Sequence, residues 1–159
     1  MTITRRNAVT IVGAIVGVLA LFPVLSTPAR AQAGKLVDVN LATENELQPL
    51  PSMTPAIAKG VVARRPFKTV VELNKFLLDQ KLTPAQTRAF YGKAFIPINL
   101  NTGTKDEFLL IPGVGVRMSA EFAEYRPWKT WAQFDKEIGK YVGQQETDRL
   151  KLYFFIPGL

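Results

Sequence analysis

The chain has 159 residues, enough for one compact domain or two very small ones. It carries 20 basic and 13 acidic residues, a formal charge of +7, and neither cysteine nor histidine. Disulfide scaffolds, thiolate zinc sites, cysteine nucleophiles and histidine bases or metal ligands are therefore excluded.

The N-terminus reads as a secretory leader. Arg5 and Arg6 follow a short polar start, and an apolar run extends from Ala8 to Leu25 with Pro23 near its end. Ala31-Gln32-Ala33 then places small residues three and one before a cut. This layout predicts a signal peptide over residues 1–33 and a periplasmic or secreted product. The alternative is a retained anchor to the inner membrane over residues 8–25, the lower edge of a spanning length. A twin-arginine reading of Arg5-Arg6 is weak, because Asn7-Ala8-Val9 lacks the expected Phe-Leu pair. Removal of residues 1–33 leaves 17 basic and 13 acidic residues, a mildly basic chain.

The remainder contains itself twice. Asn40, Thr43 and Glu46 recur as Asn101, Thr104 and Glu107, and Pro51 recurs as Pro112. Arg65-Pro66-Phe67-Lys68-Thr69 returns as Arg126-Pro127-Trp128-Lys129-Thr130, still 61 residues on. Phe95-Ile96-Pro97 returns as Phe155-Ile156-Pro157 at an offset of 60, so one residue is lost between these anchors. The expected repeats are residues 34–97 and 98–159.

Each copy reads as short helices. Thr43-x-x-Glu46 and Thr104-x-x-Glu107 are capping boxes, each opening a helix of about two turns that ends near Leu50-Pro51 or Ile111-Pro112. A tight turn follows at Ser52-Met53-Thr54 or Gly113-Val114-Gly115. Second helices are expected over Pro55–Arg64 and Val116–Tyr125, with Pro55 at a first helical position and Pro66 and Pro127 as stops. Ile57, Val61, Val62 and Met118, Phe122, Ala123 mark their apolar faces. Third helices carry Val70, Leu73, Phe76 and Leu77, or Trp131, Phe134 and Ile138. Turns are expected near Asp79–Thr83 and Gly139–Gly143, then helices over Pro84–Phe90 and Gln144–Leu150. Each copy ends in an extended aromatic tail. No stretch alternates over a strand length, so the predicted fold class is all-α, tandem repeats of short helices.

The second copy, Ile98-Asn99-Leu100-Asn101-Thr102 … Ile111-Pro112-Gly113-Val114-Gly115 … Tyr125-Arg126-Pro127-Trp128, resembles the helix-hairpin-helix domain of the ComEA-like competence proteins. The first copy shares the opening and the Arg65-Pro66-Phe67 ending but not the hairpin. The resemblance implies binding of double-stranded DNA without sequence preference, with a part in DNA uptake. Hairpin glycines would let the backbone approach a phosphate, and N–H groups of Gly113, Val114 and Gly115 would point at it, with Arg117 in the first turn beyond. Arg64, Arg65, Lys68, Arg126 and Lys129 would add a salt-sensitive attraction.

The chain departs from the family pattern where a lysine is usual early in the second helix: Ile57 and Met118 stand there. Ser52 and Thr54 replace both glycines of the first hairpin, and Pro55 has no N–H. Yet residues 35–97 hold nine basic and five acidic residues, whereas residues 98–159 hold eight of each. The other reading of Gly113-Val114-Gly115 is a bare turn, and that of the arginines is a helix end offsetting the macrodipole. Phe67, Trp128 and Trp131 are expected in the core rather than stacked on bases. Asp106-Glu107 and Asp135-x-Glu137 lack any accompanying constellation, so the chain reads as non-enzymatic, with no cofactor and no metal expected. The alternative function is an extracytoplasmic protein-interaction adaptor that has lost DNA binding and docks a partner on the aromatic tail, Leu152 to Leu159.

Overall fold

A computed structural model describes residues 36–159. The signal-peptide and anchor readings of residues 1–33 lie outside the described residues. Among the described residues, no helix is long and apolar enough to cross a membrane.

The fold is helical, as the patterning predicts. The first half runs β1 (Val37–Asp38), α1 (Glu44–Leu47), α2 (Pro55–Arg64), α3 (Val70–Asp79), α4 (Pro84–Tyr91) and β2 (Ala94–Phe95). The second runs β3 (Ile98–Asn99), α5 (Lys105–Leu109), α6 (Val116–Glu124), α7 (Trp131–Val142), α8 (Gln144–Lys151) and β4 (Phe154–Phe155).

Local chemistry sets the helix starts. Thr43 and Thr104 each accept from the N–H three residues on, and Glu46 and Glu107 return a bond to the threonine N–H at 2.7 and 2.8 Å. Thr83 and Gln86 form a third such box, while Thr54, Thr69 and Thr130 cap α2, α3 and α7.

The aromatic tails are short strands. β1 pairs with β2 and β3 with β4, both parallel, so each half is closed first element to last. Val39 N–H donates to Phe95 O at 3.0 Å, and Leu100 N–H to Phe155 O at 3.0 Å. Two residues are too few for alternation to register in sequence.

The expected turn over Gly139–Gly143 is corrected: α7 continues to Val142, and Gly143 alone turns the chain at φ +78°. A glycine inside a helix costs about 1 kcal/mol, which burial of Ile138 next to Gly139 offsets. In the first half Gln80–Thr83 separates α3 from α4, whereas Gly143 alone separates α7 from α8. The change of offset from 61 to 60 residues falls here.

One continuous core runs through both halves. Phe95 meets Tyr153 edge to face at 4.8 Å, and the buried Tyr153 hydroxyl donates to Tyr91 O at 3.1 Å, joining the halves. Phe67 and Trp128 are buried, and Trp131 packs partly buried against the same core. The apolar face of α2 and α6 is narrower than predicted. Val61 and Phe122 are buried, but Val62 and Ala123 face outward, replaced by Ala58 and Ser119.

Candidate nucleic-acid interface

Both hairpins make the same turn. Met53 N–H donates to Leu50 O at 3.1 Å, and Val114 N–H to Ile111 O at 3.0 Å. The preceding residue is left-handed in each, Ser52 at φ +60° and Gly113 at φ +86°. A serine in this region is uncommon and costs about 1–2 kcal/mol relative to glycine. Gly115 is different: its φ of −104° is open to any residue, and a side chain there would meet nothing within 4 Å.

Val114 does not present a donor. Its N–H closes the turn and its side chain is buried. Gly113 and Gly115 N–H have no acceptor among the described residues. Gly115 gives α6 no side-chain cap, so the N–H groups of that first turn keep their polarity. The first hairpin is closed off instead. Thr54 Oγ1 accepts from Ile57 N–H at 3.2 Å, and Pro55 has nothing to donate.

The arginines of the repeated Arg-Pro segment turn inward. Arg65 donates to Ala42 O, and Arg126 donates to Leu100 O at 2.9 Å and to Gly103 O. Burial lowers both guanidinium pKa values from the usual arginine range. Each ties the loop before the first helix of its half to the end of the second helix. Both are thus withdrawn from the expected phosphate-facing set. Arg126 also lies over the Phe108 ring, its guanidinium carbon 5.4 Å from the centroid.

Arg64, Lys68, Arg117 and Lys129 stay at the surface. Arg117 lies over the Tyr141 ring at 5.7 Å. Arg64 and Lys68, with Lys75 from α3, surround an open groove of about 530 Å³ floored by Phe67 and Phe76; Glu72 and Asp79 also line it. Sequence spacing did not single out Lys75, though it lies seven residues after Lys68.

Charge is handled differently in the two halves. Among the described residues, every ion pair within 4 Å lies between Asp135 and Lys151. Lys136 and Lys140 pair with Glu137, Arg149 with Glu146, and Lys151 with Asp135 and Asp148. Lys59, Arg64, Lys68, Lys75, Lys81, Arg88 and Lys93 of the first half have no such partner among those residues. The tail is not the free docking strip that its composition suggested. Tyr153, Phe154 and Ile156 are buried as β4 closes the second half, leaving Leu152, Phe155 and Leu159 outside.

Residues 32–82 match the helix-hairpin-helix motif family. The match spans α1, the Ser52 hairpin, α2 and α3. Helix-hairpin-helix motifs are generally associated with nucleic-acid binding. The matched half lacks both hairpin glycines, yet its backbone makes the same turn as Gly113. No curated protein and no solved structure matches the chain.

Proposed function

We propose that this chain is an exported, non-enzymatic protein that grips the phosphate backbone of double-stranded DNA without reading sequence, in the manner of the ComEA-like competence proteins, and serves DNA uptake. The second half acts as a second copy of the motif. The observation that carries the reading is the seven surface cations of the motif-matched half, none with a carboxylate within 4 Å. Unpaired cations release counterions from DNA at no internal electrostatic cost. The uncapped turn at Gly115 adds N–H donors of the kind that bind phosphate. Function is thus divided: attraction from the first half, backbone donors from the second.

The test is binding of the chain from Gly34 onward, which keeps every described residue, to a random duplex at two salt concentrations. Micromolar binding that weakens steeply with salt, and weakens again on Gly113→Ala, supports the reading. Absence of binding at low salt overturns it. A protein adaptor is the second reading. Leu152, Phe155 and Leu159, exposed together on the tail of a half with equal basic and acidic counts, favour it.

A further inference from the structure

The second hairpin has no basic residue at Met118, yet a cation reaches it from elsewhere in the fold. Arg149, on α8 and 37 positions beyond Pro112, donates through Nη2 to Pro112 O at 2.8 Å. The same nitrogen would stand 3.3 Å from a Cβ on Gly113, and Glu146 Oε1 3.9 Å from it. Arg149 and Glu146 are joined by two bonds, Nε to Oε2 at 2.7 Å and Nη2 to Oε1 at 2.6 Å. Their side chains are 33% and 35% exposed, so a ligand can reach them.

We infer that Arg149 is the cation of the second hairpin, and that Glu146 holds its guanidinium fork until a DNA phosphate takes the carboxylate's place. The inference rests on the proposed DNA-binding reading. A guanidinium fork accepts a carboxylate or a phosphate in the same two-point geometry, so the one can stand in for the other. The pair belongs to the second half alone: at the corresponding positions the first half has Gln86 and Ala89. Glu146 thereby sets the affinity of the hairpin, and Arg149 positions the phosphate against Gly113.

Glu146→Gln places on α8 the residue that α4 already carries, and it leaves Arg149 its bond to Pro112. The measurement is fluorescence anisotropy of a labelled random duplex titrated with the chain from Gly34 onward, across a salt series. Asp148→Asn, on the same helix and with the same change of net charge, is the control. Glu146→Gln is expected to tighten binding about fivefold and to steepen the slope of log affinity against log salt by about 0.9, one added phosphate contact. Asp148→Asn should change affinity less than about twofold with an unaltered slope. Adding Arg149→Ala to Glu146→Gln should abolish the gain. Equal effects of Glu146→Gln and Asp148→Asn, or a weaker complex with Glu146→Gln, overturn the inference while leaving the DNA reading intact. No binding by wild type and variants alike overturns both.

Discussion

The side-chain amide of Asn101 pairs with both main-chain polar groups of Trp128, donating to its carbonyl at 2.9 Å and accepting from its N–H at 2.6 Å. Asn40 does the same to Phe67, at 2.9 and 3.0 Å. The amide substitutes for a strand neighbour where the chain leaves the second helix of each half. Asn40→Ala and Asn101→Ala should each lower stability by about 2 kcal/mol in urea unfolding, since two backbone groups lose their partners. A loss under about 0.5 kcal/mol would show that water replaces the amide.

Ser52 is held at φ +60° where the second hairpin has glycine. Ser52→Gly is expected to raise stability by about 1 kcal/mol, and Gly113→Ala to lower it by at least that much because the methyl group also meets Arg149. Thermal melts of the two variants should shift in opposite directions.

In the proposed interface, a side-chain cap and a phosphate would compete for the same N–H groups at α6. Gly115→Thr, the residue found at Thr54, has open space for its side chain and should stabilise the fold by a few tenths of a kcal/mol. DNA affinity should fall in the same protein. A variant that gains stability and keeps full affinity would remove α6 from the interface.

The groove cations are expected to govern salt dependence. Lys68→Ala with Lys75→Ala should flatten the slope of log affinity against log salt by about 1.8. Arg65→Ala should instead unfold the protein more readily, because its guanidinium holds the Ala42 carbonyl inside the fold. Paired binding and melting curves separate the two roles.

Hydrogen bonds from Arg149 hold the Glu146 carboxyl below its ordinary pKa. A carboxyl with a lowered folded value adds stability that is complete above its unfolded pKa, about 4.3, and fades as pH falls through the folded value. Glu146→Gln should therefore lower stability at neutral pH and flatten the acid limb of a stability–pH profile below about pH 4.5, so that the two proteins converge in acid. An acid limb that persists unchanged would assign it to other lowered carboxyls, such as Glu46 with its Thr43 bonds.

Local chemistry was readable in the chain. Thr43 and Thr104 announce their helices because capping is settled within four residues, whereas the change of offset places the lost residue only between Thr69 and Phe95, and the structure assigns it to the turn at Gly143. Arg65 and Arg126 are ambiguous for a physical reason: an arginine at a helix end looks the same in sequence whether it meets solvent or a carbonyl 23 residues away. Arg149 gives no local signal, because its bond to Pro112 exists only once α8 has folded back. Val114 reads as a donor by position, and only the turn geometry shows its N–H already engaged.

The parallel pairing of β1 with β2 and of β3 with β4 has a mechanical consequence. Each half enters and leaves along one edge on strands that run the same way, so its entry and exit lie at opposite ends of the pair. Tension applied to the two ends slides the paired strands past one another instead of peeling them, so their hydrogen bonds share the load. A half built this way meets a pull along its length first at its strand pair, ahead of its four helices.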